Sequence, residues 1–137
     1  MHLAIYRHRP DINAVVHAHP PYATAWACQA AANTDPSLLI ETVLAFGAIP
    51  IAPFALPGTA EVARSIEPFL ASSQAILLAN HGALTFDRTP ELAWYRFESL
   101  EHIAKIQYLA KTSGPVSPIS EKEIAKLKSM STDNLQH

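Results

Sequence analysis

The stretch NAVVHAHPPY, residues 13–22, carries two histidines one residue apart at the end of a short apolar run that two prolines stop. Its β-branched valines and its length predict a strand that ends at Pro20, where no ladder donor is needed. Because successive side chains of a strand alternate between its faces, we expect His17 and His19 to point to the same side of the sheet. Pro21 suits the first turn of a helix, and the alanine-rich run YATAWACQAAA after it predicts that helix.

A second apolar run, QAILLANHGALTF at residues 74–86, predicts the other main strand. The segment from Ala75 to Ala79 is continuously apolar, as expected for a strand covered on both faces. His81 follows the end of this segment, between Asn80 and Gly82. A histidine therefore stands at or just after the end of each apolar segment.

The remaining segments predict helices that alternate with short extended pieces. Short strands or extended segments are expected at residues 38–46 and 48–55. Helices are expected at residues 2–9, from Thr59 to a break at Pro68, from Thr89 to Gly114, and after the capping box Ser120–Glu123. This alternation predicts layers of helix packed on a sheet, and it leaves open whether the sheet is parallel.

Composition narrows the class of protein. The chain has 137 residues, of which 49% are hydrophobic and 16% charged, so we expect one globular domain. A net charge of -2 without a basic block argues against nucleic-acid or anionic-membrane partners, and every apolar stretch is too short to span a bilayer. The lone Cys28 is expected to be a small buried residue, and it excludes an internal disulfide. Together with the lack of a signal-peptide pattern, this indicates a cytoplasmic protein.

The histidines suggest a metal site. Zinc needs three or four ligands at about 2.0–2.1 Å, and a catalytic zinc keeps one position open. Each histidine motif alone is weak, because a polar strand end explains His17 and His19 and a turn explains His81. Their joint occurrence at the ends of two apolar strands predicts a shared divalent ion that would polarise a carbonyl oxygen.

The segments HLAIYRHRPDINAVVHAHPPYATAWA, GAIPIAPFALPGTAEVA and AILLANHGALTF resemble the class II aldolase/adducin family, which includes the L-fuculose-phosphate aldolases. The resemblance covers residues 2–112 and implies a three-layer α/β/α sandwich with a mostly antiparallel central sheet. It implies that His17, His19 and His81 bind a divalent metal, usually zinc. It also implies a cytoplasmic homotetramer that acts on a small sugar or sugar phosphate.

The resemblance further implies that the chain is incomplete at its N-terminus. Family members carry a preceding segment that binds the substrate phosphate and supplies the acid/base glutamate, which would fall before Met1. A wrongly placed start, a shortened chain and a natural short homologue all stay open as origins. We accordingly divide the sequence into an aldolase/adducin-like domain at residues 1–114 and a tail with a short helix at residues 115–137.

The expected reaction is retro-aldol cleavage of a carbon–carbon bond in a ketose. A placed base is worth about a hundred- to ten-thousand-fold in rate, so we expect impaired turnover without that glutamate. Within the chain Glu41 is the candidate metal-site or acid/base residue, but a plain polar residue at the start of a strand explains it better. Tyr22 and Asn80 are candidates for orienting ligands or substrate, with packing and turn roles as the alternatives.

Two other classes of function stay open. One is a non-catalytic, adducin-like interaction module, which would have no need to keep all three histidines. The other is an epimerase or dehydratase of the same family, because fold-level analogy does not choose among reactions.

Overall fold

The computed structural model describes residues 1–29 and 35–133, with side chains up to residue 130. The last residues of the predicted helix YATAWACQAAA lie outside the described residues. The elements in chain order are α1 (His2–His8), β1 (Ala14–Ala18), α2 (Pro21–Ala27), α3 (Ile40–Ala45), β2 (Ile51–Ala52), α4 (Glu61–Ile66), β3 (Ala75–Leu78), β4 (Gly82–Asp87), α5 (Pro90–Ser113) and α6 (Glu121–Asp133).

Among the described residues, four strands form one sheet in the order β1-β4-β3-β2. β4 pairs antiparallel with β1 and with β3, and β2 pairs parallel with β3. The expectation of a mostly antiparallel central sheet is therefore confirmed, with one parallel pair at an edge. The β1–β4 register sets Ala18 opposite Ala83, which places the end of β1 beside the turn that precedes β4.

Helices cover both faces of the sheet and give the expected three layers. α2 and α5 pack with Leu77 and Ala83 on one face, and α1 and α4 pack with Ile76 and Phe86 on the other. Alternate residues of β3 thus enter two different cores, and all four are buried. This confirms the prediction of a strand covered on both faces.

The prediction for residues 38–46 is wrong, and residues 48–55 contain only a short strand. Residues 38–46, predicted as a strand, contain helix α3, which buries Thr42 and Val43 and leaves Ile40 exposed. The segment is too short for its residue preferences to decide its structure, so packing decides it. Residues 48–55 form only the two-residue strand β2, since Pro50 and Pro53 have no backbone donor for a ladder.

The stretch at residues 74–86 is a hairpin and not one strand. Asn80 adopts a φ of 57°, a left-handed conformation that asparagine tolerates better than most residues, and the chain reverses between β3 and β4. His81 consequently lies in the turn. Cys28 is exposed, contrary to prediction, because α2 ends at Ala27 and Cys28 lies just beyond the helix.

The predicted helix ends of the C-terminal part are confirmed. The Thr89 hydroxyl accepts a hydrogen bond from the Leu92 amide at the start of α5, and Ser120 and Glu123 form the capping box of α6. α6 packs against α3, and the Ile119 amide donates to the Ser37 carbonyl over 2.8 Å. Within residues 1–29 and 35–133, no helix is both long and apolar enough to cross a membrane.

Candidate metal centre

The fold brings His17, His19 and His81 together, and these three residues are called the imidazole cluster below. Ring centroids lie 5.1 Å apart for His17 and His19, and 4.9 Å apart for each of them and His81. One nitrogen of each ring lies within 4.8 Å of the other two. The arrangement follows from the sheet, because β1 carries His17, His19 follows directly after it, and its partner β4 begins directly after His81.

A backbone hydrogen bond orients His17. Its Nδ1 lies 2.9 Å from the Ala83 carbonyl oxygen, so Nδ1 carries the proton and donates, and Nε2 keeps its lone pair for a ligand. Burial lowers the pKa of His17; the bond to Ala83 opposes this shift, and the neighbouring histidines add to it. His17 is therefore favoured in the neutral form that a metal requires.

Gly82 has no side chain, and this leaves space for the imidazole cluster. A Cβ atom on Gly82 would lie 2.6 Å from the Ala18 carbonyl oxygen and 2.6 Å from His19 Cδ2. Its backbone conformation is not left-handed, so the position needs glycine for space and not for φ. The sequence indicates only that Gly82 belongs to a turn, and no sequence pattern predicts its steric role.

The cluster fits the group that the sequence predicts. Three neutral imidazoles form a donor set suited to zinc or another divalent ion, and in a tetrahedral zinc site ligand nitrogens lie about 3.3 Å apart. The nitrogens of the imidazole cluster are within 4.8 Å, so modest side-chain rotation closes the set. His19 is exposed, which leaves one side of the cluster accessible to a small molecule.

The other predicted residues lie elsewhere. Glu41 is exposed in the first turn of α3 and lines a groove with Ile119 and Lys126, and the imidazole cluster does not include it. Tyr22 faces α5, where its ring centroid lies 5.7 Å from that of Tyr108. Roles for Glu41 and Tyr22 in catalysis or orientation gain no support from these positions.

Asn80 has a structural place beside the cluster. It is exposed in the β3–β4 turn, and its backbone amide donates to the Ala27 carbonyl at the end of α2 over 2.9 Å. The left-handed turn at Asn80 is what presents His81 toward β1. This agrees with the turn role that the sequence offered as one alternative.

Glu101 is a contact that sequence reasoning missed. The Glu101 carboxylate accepts hydrogen bonds from the backbone amides of Tyr22 and Ala23 at 3.0 and 2.8 Å. The Lys105 ammonium lies 5.7 Å from the Tyr22 ring centroid. Only the packing of α5 on α2 reveals this role.

Comparison with known proteins agrees with the architecture. Residues 1–108 match the family model described as Class II Aldolase and Adducin N-terminal domain. A 3-oxo-tetronate 4-phosphate decarboxylase of Escherichia coli strain K12 is 34% identical over 133 residues, which cover 93% of this chain and 61% of the relative. An L-fuculose phosphate aldolase of the same strain is 34% identical over 127 residues, with 90% and 58% covered.

A solved structure is similar over the same span. The crystal structure of YgbL from Escherichia coli superposes with a TM-score of 0.83 at 32% sequence identity and covers 92% of this chain and 62% of that one. The chain thus spans about three fifths of the length of the relatives it matches.

Proposed function

Because the chain belongs to the class II aldolase and adducin family, we propose that it carries the metal centre of a lyase that breaks a carbon–carbon bond in a sugar phosphate. The relatives named above are a decarboxylase and an aldolase of sugar phosphates, and both reactions break such a bond beside a carbonyl group. Substrate and whole-protein activity are part of the proposal, since the chain matches only part of each relative.

One observation carries the proposal: three imidazoles from two distant segments converge, and one of them is already held in orientation. His17, His19 and His81 would hold the ion, zinc or another divalent metal, while the Ala83 carbonyl fixes the ring of His17. When bound, such an ion supplies Lewis-acid polarisation of substrate oxygens. An interaction module of the adducin kind would need none of these features.

Proton transfer requires a group beyond the ligands. Among the described residues the imidazole cluster contains no carboxylate, and this proposal assigns all three rings as ligands. General acid/base catalysis typically contributes about a hundred- to ten-thousand-fold. We therefore expect slow retro-aldol turnover from these residues alone.

Decarboxylation is the second candidate, and the similarity to the 3-oxo-tetronate 4-phosphate decarboxylase of Escherichia coli favours it, at 34% identity over 93% of this chain. Loss of carbon dioxide from a 3-oxo acid needs a polarised carbonyl group, which the same metal centre would supply. Assays with 3-oxo-tetronate 4-phosphate and with L-fuculose 1-phosphate separate the two reactions, and an epimerase or dehydratase would cleave neither.

The proposal is tested by the metal content of the purified protein. We expect about one divalent ion per chain for the wild type and none above background for His81→Ala, because two imidazoles rarely retain zinc. His102→Ala removes an exposed histidine of α5 and should keep the ion, which makes it the matched control. A wild type without stoichiometric metal would contradict the metal centre and favour the interaction module.

Assembly and location belong to the same proposal. α5 exposes the large side chains of Trp94, Tyr95 and Tyr108, which suits a contact between copies of the chain. We propose the cytoplasmic homotetramer that the family resemblance implies. Sedimentation equilibrium should give the mass of four chains, and a monomer at micromolar concentration would argue against it.

A further inference from the structure

Helix α2, which begins just after His19, is capped by a residue far along the chain. One oxygen of Glu101 accepts the amide of Tyr22 and the other accepts the amide of Ala23. α2 has no side-chain cap from its own N-cap residue and no acidic residue in its first turn. The carboxylate thus satisfies two donors that the helix leaves open, at the end where negative charge is favourable.

The link between this cap and His19 is stiff. Only Pro20 and Pro21 separate His19 from Tyr22, and the proline ring holds φ at about -65°. Pro20 has a φ of -69° and a ψ of 141°, which is an extended conformation. Few torsions in this link are free to change, so the position of the Tyr22 amide constrains the backbone of His19.

His19 depends on its backbone more than His17 does. Its side chain is exposed and makes ring contacts with His17 and His81, but among the described residues its imidazole makes no hydrogen bond. His17, by contrast, has the Ala83 carbonyl to orient it. The orientation of the His19 ring therefore depends chiefly on the position of the His19 backbone.

We propose that Glu101, on α5, is a positioning residue of the metal centre, which holds His19 through Pro20 and Pro21. The inference rests on the proposed function, because it concerns a ligand of that centre. It also explains why two prolines follow the histidine pair: they transmit the anchorage of α2 to the ligand. A purely structural cap would stabilise α2 and leave metal affinity unchanged.

The test is a zinc titration of the full chain with Glu101→Ala, Glu101→Gln and Glu98→Ala. Loss of a residue that orients a ligand typically weakens metal binding about 10- to 100-fold, and we expect the low end for Glu101→Ala. Glu101→Gln keeps an oxygen that accepts one amide and should recover part of the affinity. Glu98→Ala changes an exposed acid one turn earlier on α5 and should bind zinc like the wild type.

A second readout separates positioning from stability. The cobalt-loaded protein reports ligand geometry through its visible absorption, which should change in Glu101→Ala and stay unchanged in Glu98→Ala. If Glu101→Ala binds zinc as tightly as the wild type and only unfolds at a lower temperature, the inference is overturned. If the wild type itself binds no stoichiometric metal, the proposed function fails first, and the two failures are thereby distinguished.

The proline link gives an independent arm should Glu101→Ala fail to fold. Replacing Pro20 and Pro21 by alanine leaves the Glu101 cap in place but loosens the connection to His19. We expect zinc affinity to fall by a similar factor, with little further loss when Glu101→Gln is added, since both changes act on one path. Unchanged zinc affinity of the proline variant would overturn the inference.

Discussion

Among single residues, Gly82 limits the geometry of the metal centre most directly. Any Cβ atom there would lie 2.6 Å from both the Ala18 carbonyl oxygen and the His19 ring. Overpacking of this kind costs about 1–3 kcal/mol, so Gly82→Ala should lower the free energy of unfolding in urea by that amount. Because one of the two contacts is His19 itself, zinc affinity should fall as well.

Gly47 provides the matched control for Gly82. It has a φ of 63°, and no atom lies within 4 Å of the position that a Cβ would take, so Gly47→Ala meets backbone strain but no clash. Its neighbour Phe46 lies near Gln74, just before β3, whereas His81 follows the other end of that strand. That strain costs about 1–2 kcal/mol, and zinc affinity should not change. A Gly82→Ala variant that binds zinc like the wild type would contradict the steric role of Gly82.

Sequence alone predicts some of these residues and not others. His17 and His19 share a face because strand side chains alternate, and this holds for any sheet that contains them. Glu101 and Tyr22 are 79 positions apart, and no local pattern reports their hydrogen bond. Gly82 stands in an ordinary turn motif, and only the pairing of β1 with β4 brings the Ala18 carbonyl against it.

At the scale of elements, one carboxylate ties together β4, α5 and α3. Asp87 is buried at the end of β4 and bonds the guanidinium of Arg96, which in turn donates to the Ala45 carbonyl over 3.0 Å. Burial raises the pKa of Asp87, but the hydrogen bonds from the Arg88 amide and from Arg96 outweigh it, and the net pKa lies below the usual value.

This shift predicts a loss of stability in acid. A carboxylate whose pKa is lower in the folded than in the unfolded protein stabilises the fold fully above its unfolded pKa of about 3.9. That contribution is lost as pH falls toward the pKa of the folded state. Asp87→Asn should lower the free energy of unfolding by about 2 kcal/mol at neutral pH and flatten its dependence on pH below about 4. Urea unfolding between about pH 2.5 and 7 measures both quantities.

Asp11 gives the comparison for Asp87. It also pairs with an arginine, Arg9, but it is exposed, and exposed pairs contribute little. Asp11→Asn should therefore change stability less than Asp87→Asn at every pH. Equal effects of the two variants would show that the tie between β4, α5 and α3 is not what Asp87 contributes.

Elements differ in how well their sequence predicts them. α5 is predicted because Thr89, Pro90 and Gly114 mark its ends independently of its surroundings. α3 is not, because six residues carry too little intrinsic preference and the burial of Thr42 and Val43 decides the matter. The hairpin of β3 and β4 is not predicted, because its tight turn depends on the left-handed conformation of one residue, Asn80.

At the scale of the whole molecule, strand order creates the candidate site. β4 lies between β1 and β3, so the His17 ring meets the carbonyl of Ala83, 66 positions away. Sequence periodicity predicts strands but not which strands pair in the sheet. The α/β/α sandwich was predicted through the family resemblance. The division of the chain at residue 114 stays a prediction. The contact that bears on it is the packing of α6, which lies in the predicted tail, against α3, which lies in the predicted domain.

The central claim is that His17, His19 and His81 bind a single divalent ion, and X-ray absorption at the zinc edge of the zinc-loaded chain tests it most directly. The account predicts one zinc per chain with three imidazole nitrogens at about 2.0–2.1 Å, and loss of this signal in His81→Ala. Zinc bound through sulfur, for which Cys28 is the one available thiol, would contradict it. So would an imidazole signal that His81→Ala leaves unchanged.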